Sequence, residues 1–377
     1  MRPLGLLFAG PAGELDYGRR LSRLRWRRAF PVAQAREANR SAPAAEALAG
    51  VPAWIAVRNE NSLPLPHARI VPRAETVVLP AFRGAFEPAP PHTLAELEEA
   101  SFRPDAGASL EAGACAPALV FRSEDFAPAQ GETLERFLAR LAAPPTSRAV
   151  DPDFAVFELT DPEEHERPEV MRHVPASARR LLDVGCGAGS ASARLKRERP
   201  GLEVSGVERN PGAAARARGR LDRVHEGDAA AVLGRLAAAG ERFDAFVFAD
   251  VLEHLEDPAG LLGLARRIAE PSAALVASVP NVGHISLVRD LVRGRFDPVP
   301  AGLADASHLR WFTRRSLAEA LEEAGWTVAS IEGAAGAPAR DADSFLALLS
   351  DWPACDRESL STYQWIATAC ATAGDPQ

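Results

Sequence analysis

Four carboxylates, Asp183, Glu208, Asp228 and Asp250, each stand at or just beyond the end of a short apolar run, at intervals that suit one binding site. The first belongs to Asp183-Val184-Gly185-Cys186-Gly187-Ala188-Gly189-Ser190. Alternating glycines let a backbone turn sharply and approach a ligand without Cβ clash. Ser190 is placed to cap the helix that follows. A dinucleotide loop wants Gly at relative positions one, three and six, with Gly or Ala last; here the sixth position is Ser190. Asp183, two residues ahead of the loop, would repel a pyrophosphate and suits a cationic ligand with an ammonium and a sulfonium group. Glu208 lies about twenty residues further on, where a carboxylate accepts hydrogen bonds from a ribose diol. Asp228, followed by Ala229, is placed to accept from an adenine amino group. Taken singly, each acid could be a helix cap or a surface charge. Together they predict one cofactor site made of Asp183, Gly185, Cys186, Gly187, Gly189, Glu208, Asp228, Ala229 and Asp250.

These residues need a frame that brings strand ends together. Apolar strands are expected at Arg180–Val184, Leu202–Val207, Phe243–Phe248 and Ala273–Val279, with helices beginning near Ser190, Pro211, Ala229 and Pro258. Such alternation predicts an α/β fold, a Rossmann-like, doubly wound sheet with helices on both faces. Ligands bind such sheets beyond the carboxyl ends of the strands, where strand order reverses. The run Ala142-Ala143-Pro144-Pro145-Thr146-Ser147, continuing to Asp151-Pro152-Asp153, reads as a linker. It divides a smaller, irregular α/β domain at 1–145 from a second domain at 151–377. In the first, strands are expected at Ala53–Val57, Thr76–Leu79 and Ala118–Phe121, with a helix over Gly131–Leu141.

The loop Asp183–Gly189, with Glu208, Asp228 and Asp250-Val251-Leu252-Glu253-His254, closely resembles the class I S-adenosylmethionine-dependent methyltransferases. Within them it is most similar to the branch of the ubiquinone-biosynthesis O-methyltransferases and the methyltransferases of bacterial polysaccharide gene clusters. The likeness covers about residues 155–370 and includes Ser278-Val279-Pro280-Asn281, the run Asp305–Thr313 and Gly325-Trp326. It implies seven strands, the last antiparallel, with Trp326–Ile331 and Tyr363–Thr368 as the closing hairpin. It also implies S-adenosylmethionine as cofactor, its methionine part on Asp183 and the glycine loop, its ribose on Glu208 and its adenine at Asp228 and Ala229.

A sulfonium methyl is electrophilic without help, so such an enzyme must hold the acceptor in line, which can supply roughly 7–11 kcal/mol. A nearby base adds to this for an oxygen acceptor, and imidazole titrates near working pH. The resemblance places His254, His284 and His308 on the active face; His254 and His308 are the preferred catalytic bases, and His284 ranks with Arg310 and Trp311 as acceptor contacts. Asp250, Glu253 and His254 have i, i+3, i+4 spacing. In the ubiquinone-type enzymes the matching pattern is associated with a divalent cation. Here its first member is Asp, and a site without metal is the preferred reading. The long connection Asn281–Thr313 reads as a covering element with a helix at Ile285–Val292. The acceptor is expected to be a small molecule or glycan-linked, methylated at oxygen. The alternative is a non-catalytic binding scaffold.

Composition narrows the rest. Net charge is −8, which argues against a nucleic-acid partner. Residues 1–150 carry 18 basic and 16 acidic side chains, against 25 and 35 in the remainder. Arg19, Arg20, Arg23, Arg25, Arg27 and Arg28 read first as a solvated face and second as a phosphate-binding patch. No apolar run is long enough to span a membrane. Residues 3–13 read as a buried strand rather than a signal peptide. Cys115, Cys186, Cys355 and Cys370 form neither a metal pair nor a disulfide frame, which fits a cytoplasmic protein. Residues 113–126 faintly resemble nucleotide-sugar glycosyltransferases. Arg58-Asn59-Glu60-Asn61 offers one acid where that family needs a pair, so the resemblance implies at most a degenerate relative.

Overall fold

The computed structural model describes residues 4–10, 34–51, 53–57, 62–64, 76–79, 81–82, 118–122, 126–142, 147–148, 156–158, 166–299, 302–334, 342–349 and 356–371. The Arg19–Arg28 cluster, Arg58–Asn61, Cys115, Cys355 and the Pro144-Pro145 and Asp151–Asp153 parts of the expected linker lie outside the described residues. The chain forms two compact units, one of residues 1–160 with 296–307 and one of 161–295 with 308–377.

The first unit holds a six-stranded sheet of order β2-β1-β3-β7-β5-β8, with β1 Leu4–Gly10, β2 Gln34–Asn39, β3 Ala53–Val57, β5 Thr76–Leu79, β7 Ala118–Arg122 and β8 Ser147–Arg148. β2 and β3 flank β1 in parallel, and β7 runs antiparallel to β3 and β5. Every residue of β3 is buried, as a central strand covered on both faces requires. Leu134, Phe137, Leu138 and Leu141 recur at three- and four-residue spacing, so the helix Leu134–Ala142 lays one apolar face against Trp54, Leu119 and Phe121. β4 Ser62–Pro64, β6 Ala81–Phe82 and β9 Val156–Glu158 make a small second sheet. The first compact unit runs on to Thr160: β8 pairs with β5 and β9 with β4, so the chain keeps satisfying its backbone groups within that unit.

The second unit is built on β10 Arg180–Val184, β11 Glu203–Glu208, β12 Arg223–Glu226, β13 Phe243–Ala249, β14 Ala269–Pro280, β15 Trp326–Ala334 and β16 Gln364–Ala371. Their order is β12-β11-β10-β13-β14-β16-β15. β10 to β14 are parallel, and β16 runs antiparallel to both β14 and β15. The seven-stranded Rossmann-like sheet with an antiparallel last strand is thus present. Alternation along each strand sends side chains to opposite faces. Leu182, Val184, Phe246 and Phe248 pack beneath the helices Ala229–Ala238, Pro258–Arg267 and Arg314–Glu323. Leu181, Ala245 and Val247 face Val170, Met171 and the helix Ser190–Glu198. Trp326 is buried in the first of these layers and donates its indole N–H to the Leu262 carbonyl at 3.0 Å.

Helix starts coincide with their local signals. Pro211 and Pro258 occupy first-turn positions where no N–H is needed, and Asn210 and Asp257 cap those helices through backbone N–H groups. Each such cap contributes about 1 kcal/mol. One expectation shifts by a residue: Gly189, at φ +78°, is the N-cap of the helix Ser190–Glu198, and Ser190 is its first residue. The Ser190 hydroxyl accepts from Arg220 at 2.7 Å. Among the described residues no helix is long and apolar enough to cross a membrane.

Candidate active site

The strand order reverses between β10 and β13, so their carboxyl ends open a crevice. The glycine loop forms its floor. Gly185, Gly187 and Gly189 have φ of +76°, +54° and +78°. At Gly185 a Cβ would come within 2.4 Å of Val251 Cγ2, so the loop packs directly on the turn after β13. The N–H groups of Gly185 and Cys186 donate to the Val207 carbonyl at 2.8 and 3.1 Å. Glu208, at the end of β11, accepts from Gly187 N at 2.9 Å and from Asn210 N at 2.6 Å, which aims its carboxylate at the loop.

Asp183 is 3% exposed and accepts from Ser192 Oγ at 2.6 Å. Burial pushes its pKa up to about 6, the Ser192 bond opposes this, and the charge of Glu208 adds to it. A nearly dry carboxylate of this kind is stabilised by an incoming cation. Burial also pushes the Cys186 thiol up, with the charges of Asp183 and Glu208 adding, so it stays protonated and serves as packing. Its Sγ would lie 2.6 Å from a Cβ placed on Gly206, so a glycine there makes room for it.

Asp228 Oδ1 caps the helix Ala229–Ala238 by accepting from Ala231 N at 3.1 Å. The cap uses one carboxylate oxygen and fixes where the other points. Asp250 is more constrained. Its φ of +55° is unusual for a residue with a side chain. Its N–H donates to the Ser278 carbonyl at 3.1 Å, and Oδ1 accepts from Ser278 Oγ at 3.0 Å and from Gln364 Nε2. Oδ2 pairs with Arg167, which itself has φ +44°. Two left-handed residues, each costing on the order of 1–3 kcal/mol, are therefore joined by a charge-assisted bond at the rim of the crevice. Ser278 stands in the run Ser278–Asn281 that the resemblance includes, whereas Arg167 and Gln364 carry no site signal in the sequence. Arg167 sits in an ordinary charged stretch, and nothing in its neighbours marks it.

Glu253 and His254 lie in a 3-10 turn over Leu252–His254, directly after β13. The segment after residue 307 is tied to this turn: Leu309 N and Arg310 N both donate to the Glu253 carbonyl, at 2.7 and 3.0 Å. This brings the rings of His254 and His308 to 5.0 Å between centroids, and Trp311 packs edge-on to His308 at 5.4 Å. Arg310 spends its guanidinium on the carbonyls of Glu256 and Leu309. His284 is placed differently. It is buried, caps the helix Ile285–Val292 by accepting from Ser286 N at Nδ1, and packs on Tyr363, which gives it a capping and packing role.

Residues that could hold a cofactor are thus assembled. A loop with no room for a Cβ at Gly185, a buried carboxylate at its base and the half-buried Glu208 on its flank fit a ligand with a cationic end and a diol. Residues that could hold a metal are also present: one ligand atom each from Glu253, His254 and His308 lies within 4.8 Å of the others.

Comparison with known proteins agrees with this geometry. Residues 125–331, more than half of the chain, match the family described as methyltransferase domain. A ubiquinone biosynthesis O-methyltransferase from Cereibacter sphaeroides is 31% identical over 158 residues, covering 40% of this chain and 62% of the relative. One of the same name from Hahella chejuensis is 35% identical over 106 residues, covering 27% and 44%. The chain thus spans less than two thirds of the length of these curated relatives. A solved S-adenosylmethionine-dependent methyltransferase from Archaeoglobus fulgidus is similar at 22% identity and a TM-score of 0.39, over 52% of this chain and 87% of that one. With its own sheet order, its glycine loop and the match over residues 125–331, the chain belongs to the class I S-adenosylmethionine-dependent methyltransferases.

Proposed function

We propose that this protein transfers a methyl group from S-adenosylmethionine to a hydroxyl of a small-molecule or glycan-linked acceptor. The observation that carries the reading is the convergence, at one end of the sheet, of the glycine loop with Glu208 and the His254–His308 pair. S-adenosylmethionine supplies an electrophilic methyl carbon. Asp183 and the loop would hold its cationic methionine end, Glu208 its ribose diol, and Asp228 with Ala229 its adenine. Asp250, fixed by Arg167, Ser278 and Gln364, would line the crevice beside it.

The acceptor hydroxyl is deprotonated at the His254–His308 pair, which the clamp of Leu309 and Arg310 on Glu253 holds in place. Trp311 is exposed, packs edge-on to His308 and offers an apolar wall for a ring or a sugar face. The curated relatives carry names that specify an O-methyltransferase of ubiquinone biosynthesis, so quinols belong first among the acceptors tried. The test is product mass after incubation with S-adenosylmethionine and a panel of quinols, sugars and lipids. A mass gain of one methyl on an oxygen of any acceptor supports the proposal. Binding of S-adenosylhomocysteine with no methylated product from any class would favour a non-catalytic binding protein.

A further inference from the structure

Asp250 has a backbone role that its place in the crevice does not account for. Its φ of +55° lies in the left-handed region, which a residue with a side chain keeps only where its surroundings hold it there. Ser278 Oγ accepts from the Asp250 N–H at 3.2 Å and donates to Oδ1 at 3.0 Å, closing a small ring that fixes both φ and the side-chain rotamer. Gln364 donates its amide to the same Oδ1, and Arg167 pairs with Oδ2. Ser278 and Gln364 are buried, so water competes little for their bonds. Gln364 is delivered by a lock of its own. It is the first residue of β16, opposite Pro280. The fully buried Asn281 gives its side-chain amide to the carbonyls of Ser359 and Thr362, each at 2.7 Å, and its N–H to the Tyr363 carbonyl at 2.9 Å. Where the chain goes after Asp250 depends on that φ. Val251 follows, and its Cγ2 lies 2.4 Å from where a Cβ on Gly185 would stand, so it seats on the glycine loop. His254 donates its N–H to the Val251 carbonyl at 3.1 Å, so the turn that carries it moves with Val251. One backbone angle thus sets the cofactor loop and the histidine turn together.

We infer, resting on the methyl-transfer reading of this crevice, that Gln364 with Ser278 is a positioning residue: it holds Asp250 in the left-handed conformation that seats Val251 on Gly185 and aims His254 at the acceptor. The bond chemistry suits the task. A neutral amide supplies a buried donor and leaves the charge of Asp250 to Arg167 alone. Asp is itself among the side-chain residues that tolerate positive φ best. Without its anchors, residue 250 relaxes to the right-handed region, which sterics favour roughly tenfold. Val251 then leaves Gly185, and the apparent cofactor affinity falls with the fraction of protein that keeps the competent arrangement.

The test is calorimetric titration of S-adenosylhomocysteine into full-length variants, with the thermal midpoint measured on the same samples. Gly and Ala at position 250 both remove the carboxylate, and differ in that Gly takes a positive φ at no steric cost. Asp250→Ala should therefore bind about tenfold more weakly than Asp250→Gly. Gln364→Leu should weaken binding roughly three- to tenfold in the parent, the worth of one hydrogen bond, and cause no further loss when added to Asp250→Gly. Ser278→Ala should repeat that pattern, and replaces Gln364→Leu if the latter does not fold. On the acceptor side, imidazole nitrogen NMR should show the His254 signals shifted in Asp250→Ala and in Gln364→Leu, and close to parental in Asp250→Gly. Equal affinities of the Gly and Ala variants would overturn the backbone role of Asp250. No loss in Gln364→Leu, or the same loss in both backgrounds, would overturn the assignment of Gln364, since a general structural effect is additive. Parental His254 signals in Gln364→Leu would overturn the link to the histidine turn. Failure of the parent to bind S-adenosylhomocysteine would instead count against the proposed function.

Discussion

Replacing Asp183 by Asn should move stability and cofactor affinity in opposite directions. Asp183 is buried beside Ser192 and within the field of Glu208, and its pKa is pushed up to about 6. An unfolded aspartate titrates near roughly 3.9, and one pH unit is worth about 1.36 kcal/mol, so holding the ionised form inside the ligand-free protein costs about 3 kcal/mol at neutral pH. The sign follows from proton counting. Between about pH 4 and 6 the folded state keeps a proton that the unfolded state has released, so this contribution to stability is present at low pH, falls as pH rises through about 6, and is flat above. Asn keeps the shape and an acceptor for Ser192 without the charge. Ligand-free Asp183→Asn should therefore be more stable than the parent at pH 7.5, by up to about 3 kcal/mol, with the gap closing towards pH 4.

Cofactor binding reverses the order. The ammonium of S-adenosylhomocysteine prefers the ionised carboxylate, so affinity in the parent should rise with pH and level off above about 6. At pH 5 it should be about tenfold weaker than at pH 7.5. The Asn variant should lack that limb and bind more weakly at pH 7.5 by about 1.5–3 kcal/mol, the usual worth of a hydrogen bond to a charged group. Urea unfolding at pH 5 and 7.5, paired with calorimetric titration of S-adenosylhomocysteine, reads both effects. A variant less stable than the parent at pH 7.5, or one with parental affinity and pH dependence, would refute the assignment of Asp183 to the ammonium end.

Three further outcomes are expected. Glu208→Ala should weaken S-adenosylhomocysteine by about 1.5–3 kcal/mol and, through loss of the bonds from Gly187 N and Asn210 N, lower the thermal midpoint; unchanged affinity would remove Glu208 from the site. Gly185→Ala forces both a positive φ on a residue with a side chain and a 2.4 Å approach to Val251 Cγ2, so it should cost about 1–3 kcal/mol of stability and lose cofactor binding. A variant with normal binding would show that the loop has slack the structure does not reveal. Gln at His254 and Gln at His308 should each lower kcat by roughly 10²–10⁴-fold with cofactor affinity within a few-fold of the parent. Near-normal kcat in both would end the assignment of acceptor activation to this pair.

The sequence alone determined what depends on neighbours within a few residues. β10, β11, β13 and β14 were legible because buried parallel strands are short apolar runs, and the helix starts at Pro211 and Pro258 because a first-turn proline and a preceding cap residue are local signals. The alternating glycines likewise announced a sharp turn, which the structure makes with positive φ at Gly185, Gly187 and Gly189. In the first unit, β1, β3, β5, β7 and the helix with its apolar stripe were legible for the same reason, whereas β2 and the short strands β4, β6, β8 and β9 carry no such pattern. What only the tertiary structure decided involves groups far apart in the chain. Asp250 reads as a crevice acid beside a histidine motif, but Arg167, Ser278 and Gln364 arrive from three other segments to engage it, and the low dielectric at the strand ends makes those bonds worth more than local preference. His308 reaches His254 because the backbone N–H groups of the next two residues, Leu309 and Arg310, need an acceptor and find it at Glu253. The first compact unit extends to Thr160 for a similar reason. Strand pairing is chosen by whichever edge has unpaired backbone groups, and no local pattern names its partner.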